Sequence, residues 1–375
     1  MNLVAIKTFI HDLMHGENGK MRTEKYEKDR IRGSIVGGAI GDALGYPVEF
    51  LFSFDAIQNR YGERGITSFD MTDYYMRDTA KAEVSDDTQM TLFTTCGILN
   101  AAEKGMAPVP AVTRAYLEWL YTQGAPVKKE YNDCWIAELP ELNVRRAPGG
   151  TCISSLKDIA RGVEPNNNSK GCGGVMRIAP VPLYGFAKGR ITDVEALDKL
   201  SAEISEVTHQ HPLGFIPSAF VSHIIYQLAC DENPTREALK AYVEDALNMV
   251  ANVYKQQYQS DVEYFDYLVR KAVALASEDG NDVDNIGVIG EGWVAEETAA
   301  IAVYCALKYF DNFEEALIAS VNHKGDSDST GAVTGNILGA AIGYDALPAY
   351  YKDNVELLDV MLQVCDDLWE GKKSI

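Results

Sequence analysis

Glycine recurs at every fourth position twice in this chain, as Gly33, Gly37, Gly41 and Gly45 and again as Gly331, Gly335, Gly339 and Gly343. Residues four apart share one face of a helix, so each set draws a stripe bare of side chains. Glycine inside a helix costs about 1 kcal/mol relative to alanine, and a cost repeated eight times needs a return. The return is a smooth face against which a second backbone can lie. In a bilayer such stripes pair helices, but the flanking charges exclude that setting here. The pattern predicts two helices in tight core contact.

Acidic motifs sit at the ends of these stripes. Asp42 lies within the first, and Asp326-Ser327-Asp328-Ser329 opens the second; a similar string, Ser85-Asp86-Asp87-Thr88, lies between them. Each string alone is as compatible with helix capping as with anything else. Together they bring like charges toward one rigid place, which calls for a divalent cation held by carboxylate and hydroxyl oxygens.

Helical periodicity dominates the rest, with helices predicted near 23–44, 86–105, 109–121, 194–208, 212–230, 235–258, 261–277, 295–309, 312–321, 329–343 and 354–370. No alternating strand pairs or βαβ spacing occur, so the fold class is all-α. Apolar residues are 46% of the 375, enough for one large core. Prolines and glycines punctuate 124–175, which reads as one long irregular segment. Residues 1–22 read as an N-terminal extension and 23–375 as the single domain. The net charge of −21 excludes a nucleic-acid surface, where a basic stripe is expected. No apolar run near the roughly 18 residues of a membrane span is expected, and the start lacks a signal-peptide pattern. Seven scattered cysteines without CxxC fit reduced thiols and a cytoplasmic location.

Five strings in order, GDALGYPVEF with Asp42 and Glu49, SDDTQM, GCGGVMR, THQHPL and GDSDST, resemble the ADP-ribosylglycohydrolase family over about residues 30–345. The resemblance implies a compact orthogonal all-α bundle around two Mg²⁺ or Mn²⁺ ions. It makes Ser85, Asp86, Asp87, Asp326, Asp328 and Ser329 the metal ligands, with Asp86 and Asp328 bridging. Glu49 and Asp87 become the catalytic residues, Glu49 as general acid or base or as a gate touching metal. Asp42, Gly171, Cys172, Gly173, Gly174, Val175, Met176 and His209 fall to substrate binding. Cys172 stands where the family has Asn, a change that backbone amides facing a phosphate survive. His211 and His323 read as structural, Arg145–Thr151 as a basic turn, and Glu296 with Glu297 as an acidic first turn suited to a helix dipole.

The implied activity is metal-dependent hydrolysis of ADP-ribose from modified protein side chains, arginine foremost, through an oxocarbenium-like state. Two alternatives stay open. One is an immunity-type protein that binds an ADP-ribosyltransferase toxin through its N-terminal extension as well as by hydrolysis. The other is a two-metal phosphoesterase.

Overall fold

The computed structural model describes residues 22–71, 80–126 and 130–374. Among them the chain forms sixteen α-helices and no strand, only two isolated bridges. The first eight are α1 (Glu24–Gly45), α2 (Phe54–Tyr61), α3 (Asp86–Lys104), α4 (Pro108–Thr122), α5 (Gly150–Ala160), α6 (Pro180–Phe186), α7 (Val194–Glu206) and α8 (Pro212–Cys230). The rest are α9 (Arg236–Tyr254), α10 (Gln259–Leu275), α11 (Asp282–Ile289), α12 (Ala295–Lys308), α13 (Phe313–Val321), α14 (Ser327–Ile342), α15 (Ala349–Asn354) and α16 (Leu358–Glu370). The all-α expectation holds.

At the centre, α1 and α14 lie backbone against backbone along the two glycine stripes. A Cβ at Gly33 would stand 2.4 Å from the Gly339 carbonyl oxygen, and one at Gly41 2.0 Å from that of Gly331. Between the stripes, Ser34 Oγ donates to the Asn336 carbonyl and Asn336 Nδ2 donates back to the Ser34 carbonyl, each at 2.8 Å. The contact ends where Gly45 meets the backbone of Ser327 and Asp328. The stripe therefore fixes the second acidic string against the end of α1.

Several expectations need correction. The segment 124–175 is not wholly irregular: it holds α5 and the short 3₁₀ turns Trp135–Glu138, Pro140–Leu142 and Cys172–Arg177. Helix α5 starts at Gly150 without a side-chain cap, so the usual start signal is missing. The predicted helix 354–370 is broken at Leu357, whose φ is +61°. Helix α8, nineteen residues of hydropathy 1.4, is long and apolar enough to cross a membrane by length and composition, contrary to expectation; 89% of that window is buried inside the protein. Of the proposed N-terminal extension, residues 1–21 lie outside the described residues. Arg22 anchors its end by donating to the Cys230 carbonyl at 3.0 Å.

Candidate active site and metal centre

Both acidic strings stand at helix N-termini, where unpaired amides and the helix dipole favour negative charge. Ser85 caps α3, its Oγ accepting from Asp87 N at 3.1 Å. Asp42 reaches over from α1 and accepts from Ser85 N at 2.9 Å, Thr88 N at 3.1 Å and Thr88 Oγ1 at 2.5 Å. Asp42 is thus behind the site, holding the first string in place, and it does not line the cleft. Burial first, then the charge of Asp328, pushes its carboxyl up to about 7.

In front of Asp42 the strings converge. Ser329 Oγ donates to Asp87 Oδ2 at 2.8 Å, and Gly149 N donates to Asp86 Oδ2 at 3.1 Å. Carboxylate oxygens of Glu49, Asp326 and Asp328 all lie within 4.8 Å of one another. Burial raises the pKa of every member, and repulsion from Asp328 adds to it for Glu49, Asp86, Asp87 and Asp326. Glu49 is pushed up to about 12. No lysine or arginine figures among the main influences on these groups. Glu49 is only 7% exposed, yet its Oε2 has no hydrogen-bond partner. A buried oxygen without a donor, amid carboxylates without a countercharge, suits an oxygen-ligated divalent cation. The donor set fits such a group.

The cluster forms the floor of a cleft of about 360 Å³. One wall is the turn Gly171–Arg177. It is tied to the start of α12 by a bridge between Gly171 and Val294 and by Cys172 N donating to the Trp293 carbonyl at 3.3 Å. Cβ atoms at Gly171 and Gly173 would meet the His209 ring at 3.1 and 2.8 Å, so glycine is needed for the imidazole to lie so close. His209 Nδ1 bonds Thr208 Oγ1 at 2.9 Å, and Arg177 Nη2 donates to that hydroxyl at 2.7 Å. Burial, helped by Arg177, lowers His209 to about 3, so the ring is neutral at physiological pH. Cys172 Sγ lies 2.8 Å from Asp326 Oδ2, and burial pushes the thiol well up.

The opposite wall, Ala147–Cys152, was not singled out as part of the site by sequence. Arg146, read as part of a basic turn, is fully buried and pairs with Glu83 at 3.3 Å and Glu356 at 3.0 Å. Its carbonyl accepts from Asp86 N at 3.1 Å. The only sequence signal was a charged residue beside Pro148-Gly149-Gly150; its partner Glu356 lies 210 residues away. Trp293 also lines the cleft and stacks on Phe50, ring centroids 6.4 Å apart. In the neighbouring turn Glu296 pairs with Lys170, while Glu297 accepts from Glu291 N and Gly292 N, so both do more than complement a dipole.

Of the predicted residues, Glu49, Asp86, Asp87, Asp326, Asp328 and Ser329 meet on the floor, and Gly171, Cys172, Gly173, Met176 and His209 form one wall. Ser85, Gly174 and Val175 are buried behind these surfaces, with Gly174 packed on Ser205 and the Gly214 carbonyl. His211 caps α8, accepting from Leu213 N at 3.0 Å, and His323 bonds Ser320 and Thr330 in the core, as expected of structural histidines.

Known proteins resemble this chain throughout. It is 24% identical to the ADP-ribosyl-[dinitrogen reductase] glycohydrolase of Rhodospirillum rubrum, over 88% of this chain and 91% of that protein. It is 24% identical to the ADP-ribosylhydrolase ARH1 of Dictyostelium discoideum, over 89% and 92% of the two chains. An uncharacterised protein of Archaeoglobus fulgidus is 26% identical over 92% of this chain and 97% of its own. A solved structure described as an ADP-ribosylglycohydrolase-related protein complex shares the fold, with a TM-score of 0.62 at 22% identity over 92% of this chain and 99% of the other. The family profile described as ADP-ribosylglycohydrolase matches residues 22–374. With that match over nearly its whole length, the chain belongs to the ADP-ribosylglycohydrolase family, hydrolases of the glycosidic bonds that ADP-ribose makes.

Proposed function

We propose that this cleft removes ADP-ribose from modified protein side chains, ADP-ribosyl-arginine foremost, with two Mg²⁺ or Mn²⁺ ions on its floor. The observation that carries the reading is the buried cluster of Glu49, Asp326 and Asp328, lacking a countercharge and open to a cleft in a chain of this family. Asp86, Asp87, Asp326, Asp328 and Ser329 would hold the ions. When bound, such ions orient a ribose diol and make a water more acidic.

The protein's own groups supply the rest. Water adds to the anomeric carbon, the bond from that carbon to the side-chain nitrogen or oxygen breaks, and ADP-ribose and the free side chain leave. Glu49 Oε2, buried and unpaired beside the cleft, is the group assigned to carry the proton between water and leaving group. The amides of Gly171 and Cys172 already donate to Ser169 Oγ and the Trp293 carbonyl, so phosphate contacts from this turn fall to later amides. His209, neutral and held through Nδ1, lines the cleft beside this turn.

The test offers arginine-, serine- and aspartate-linked ADP-ribosyl proteins with and without Mg²⁺. The expected outcome is metal-dependent release of intact ADP-ribose, fastest from arginine. Release of AMP instead would make the protein a phosphoesterase, and turnover after exhaustive chelation would remove the ions from the reaction.

A further inference from the structure

Arg177, at the end of the wall turn, is fully buried, and among the described residues no carboxylate lies within ion-pairing distance of it. A buried guanidinium is ordinarily paired, so its place here needs a reason. Nη1 contacts Met90 Sδ at 3.3 Å and Cys152 Sγ at 3.5 Å, the guanidinium carbon stands 4.3 Å from the centroid of the Tyr116 ring, and Nε has no partner. Its shortest bond runs from Nη2 to Thr208 Oγ1, at 2.7 Å.

That bond decides where the next protons lie. A guanidinium only donates, so Thr208 Oγ1 accepts from it and has one hydrogen of its own to give. The Ser205 carbonyl stands 3.4 Å away, beyond the usual O–H···O range of about 2.5–3.0 Å, and it already accepts from Thr208 N and His209 N. The Cys152 thiol also adjoins the hydroxyl, but a thiol is a weak acceptor. His209 Nδ1, at 2.9 Å, therefore takes the hydrogen. Burial and then Arg177 lower His209 to about 3, so the ring is neutral, and a neutral imidazole whose Nδ1 accepts carries its proton on Nε2. Nε2 bonds no described residue, yet it is not sealed in the interior. It lies 3.1 and 3.2 Å from where Cβ atoms of Gly171 and Gly173 would stand, and both glycines line the cleft with His209.

We infer that Arg177 is a positioning residue of this cleft: through Thr208 it holds His209 in the Nε2–H form, so that the imidazole donates to an acceptor oxygen of the ADP-ribosyl group. The inference rests on the cleft being the ADP-ribosyl site proposed above. In the other tautomer a nitrogen lone pair would meet that oxygen and repel it. The buried cation thus acts on the ligand through a hydroxyl and a ring, without touching it.

The test reads the protonated ring nitrogen by long-range proton–nitrogen correlation NMR of full-length, histidine-labelled protein, and ADP-ribose affinity by calorimetry with Mg²⁺. The chain has six histidines, and the signals missing from His209→Gln identify this one. Wild-type His209 should be protonated at Nε2 alone. In Thr208→Val and in Arg177→Met the two nitrogen shifts should move toward each other as the tautomers mix, and ADP-ribose should bind about tenfold more weakly, the worth of one hydrogen bond to a charged group. Thr208→Ser, which keeps the hydroxyl, should restore the shifts and most of the affinity. Circular dichroism checks each fold, and Thr208→Val tests the relay with the buried cation left in place. A wild-type ring protonated at Nδ1, shifts that neither variant moves, or mixed tautomers with unaltered affinity overturns the inference and leaves the ADP-ribosyl site standing. Wild-type protein that binds no ADP-ribose overturns both.

Discussion

Gly335 and Gly37 approach so closely that a Cβ added to Gly335 falls 2.0 Å from the Gly37 carbonyl oxygen, and one added to Gly37 falls 2.6 Å from that of Gly335. Both obstacles are backbone, which cannot swing aside as a side chain can. Alanine should therefore destabilise at Gly335 despite its better helix propensity, by roughly 1–3 kcal/mol. Gly287 in α11 is the control, since nothing lies within 4 Å of its Cβ position; Gly287→Ala should gain up to about 1 kcal/mol. Urea unfolding of the two variants measures the contrast, and equal effects would refute the packing account.

Asp328 is the charge that most members of the cluster feel. Asp328→Asn should abolish ADP-ribosyl hydrolysis and the stabilisation by Mg²⁺ or Mn²⁺. In metal-free protein it should raise the melting temperature, because one source of repulsion is gone. Thermal scans with and without cation decide this, and a lowered metal-free Tm would show that its hydrogen bonds outweigh its charge.

Stability of the metal-free protein should fall as pH rises from about 7 to about 9. Folded Glu49, its carboxyl pushed up to about 12, keeps its proton there, whereas the unfolded group, ordinarily near 4.5, has lost it. The native state then binds more protons, so stability falls by about 1.4 kcal/mol per pH unit per retained proton. Urea midpoints in chelator across this range give the slope, and Glu49→Gln should flatten it. His209 and His323, lowered to about 3 and about 4, stay neutral and do not contribute, whereas His223, which burial lowers but Asp198 and Asp245 raise further, adds a fall of the same sign, so the Glu49→Gln difference isolates the carboxyl.

Arg146 stabilises the second wall from behind. Arg146→Met leaves Glu356 and Glu83 buried beside an apolar chain, a loss of about 3–5 kcal/mol. The Gly149 amide and the Arg146 carbonyl both bond Asp86, so hydrolysis should also suffer in the fraction that remains folded. The double variant with Glu356→Leu should recover part of the stability, and denaturant curves of the single and double variants measure how much.

Most of the floor of the cleft was legible because its carboxylates are concentrated in two strings, and the central helix pair because the glycine spacing has one geometric meaning. The Ala147–Cys152 wall was not, because what places it is an ion pair between Arg146 and a glutamate 210 residues on. Trp293 was hidden for a related reason: its place over the cleft follows from the pairing of Val294 with Gly171, a contact between distant segments. Asp42 was assigned to substrate binding, whereas its carboxylate accepts from Ser85 N, Thr88 N and Thr88 Oγ1 of the first acidic string, contacts across more than 40 residues that no spacing displays. Short helices such as α2 and α11 escape notice because one or two turns offer too few repeats to establish a period.

The contact between Ser34 and Asn336 spans 302 residues, and Asp87 waits 242 residues for Ser329. On a ribosome adding 5–20 residues per second, the second string follows the first by roughly 12–50 s. Throughout that interval α1 presents its glycine stripe with no backbone to cover it, and the early carboxylates stand without the later ones that complete the floor. A nascent chain of this protein is therefore inert toward its substrate until its last third has been made. Assembly of the cleft floor is then a step of maturation, after translation has passed Gly343.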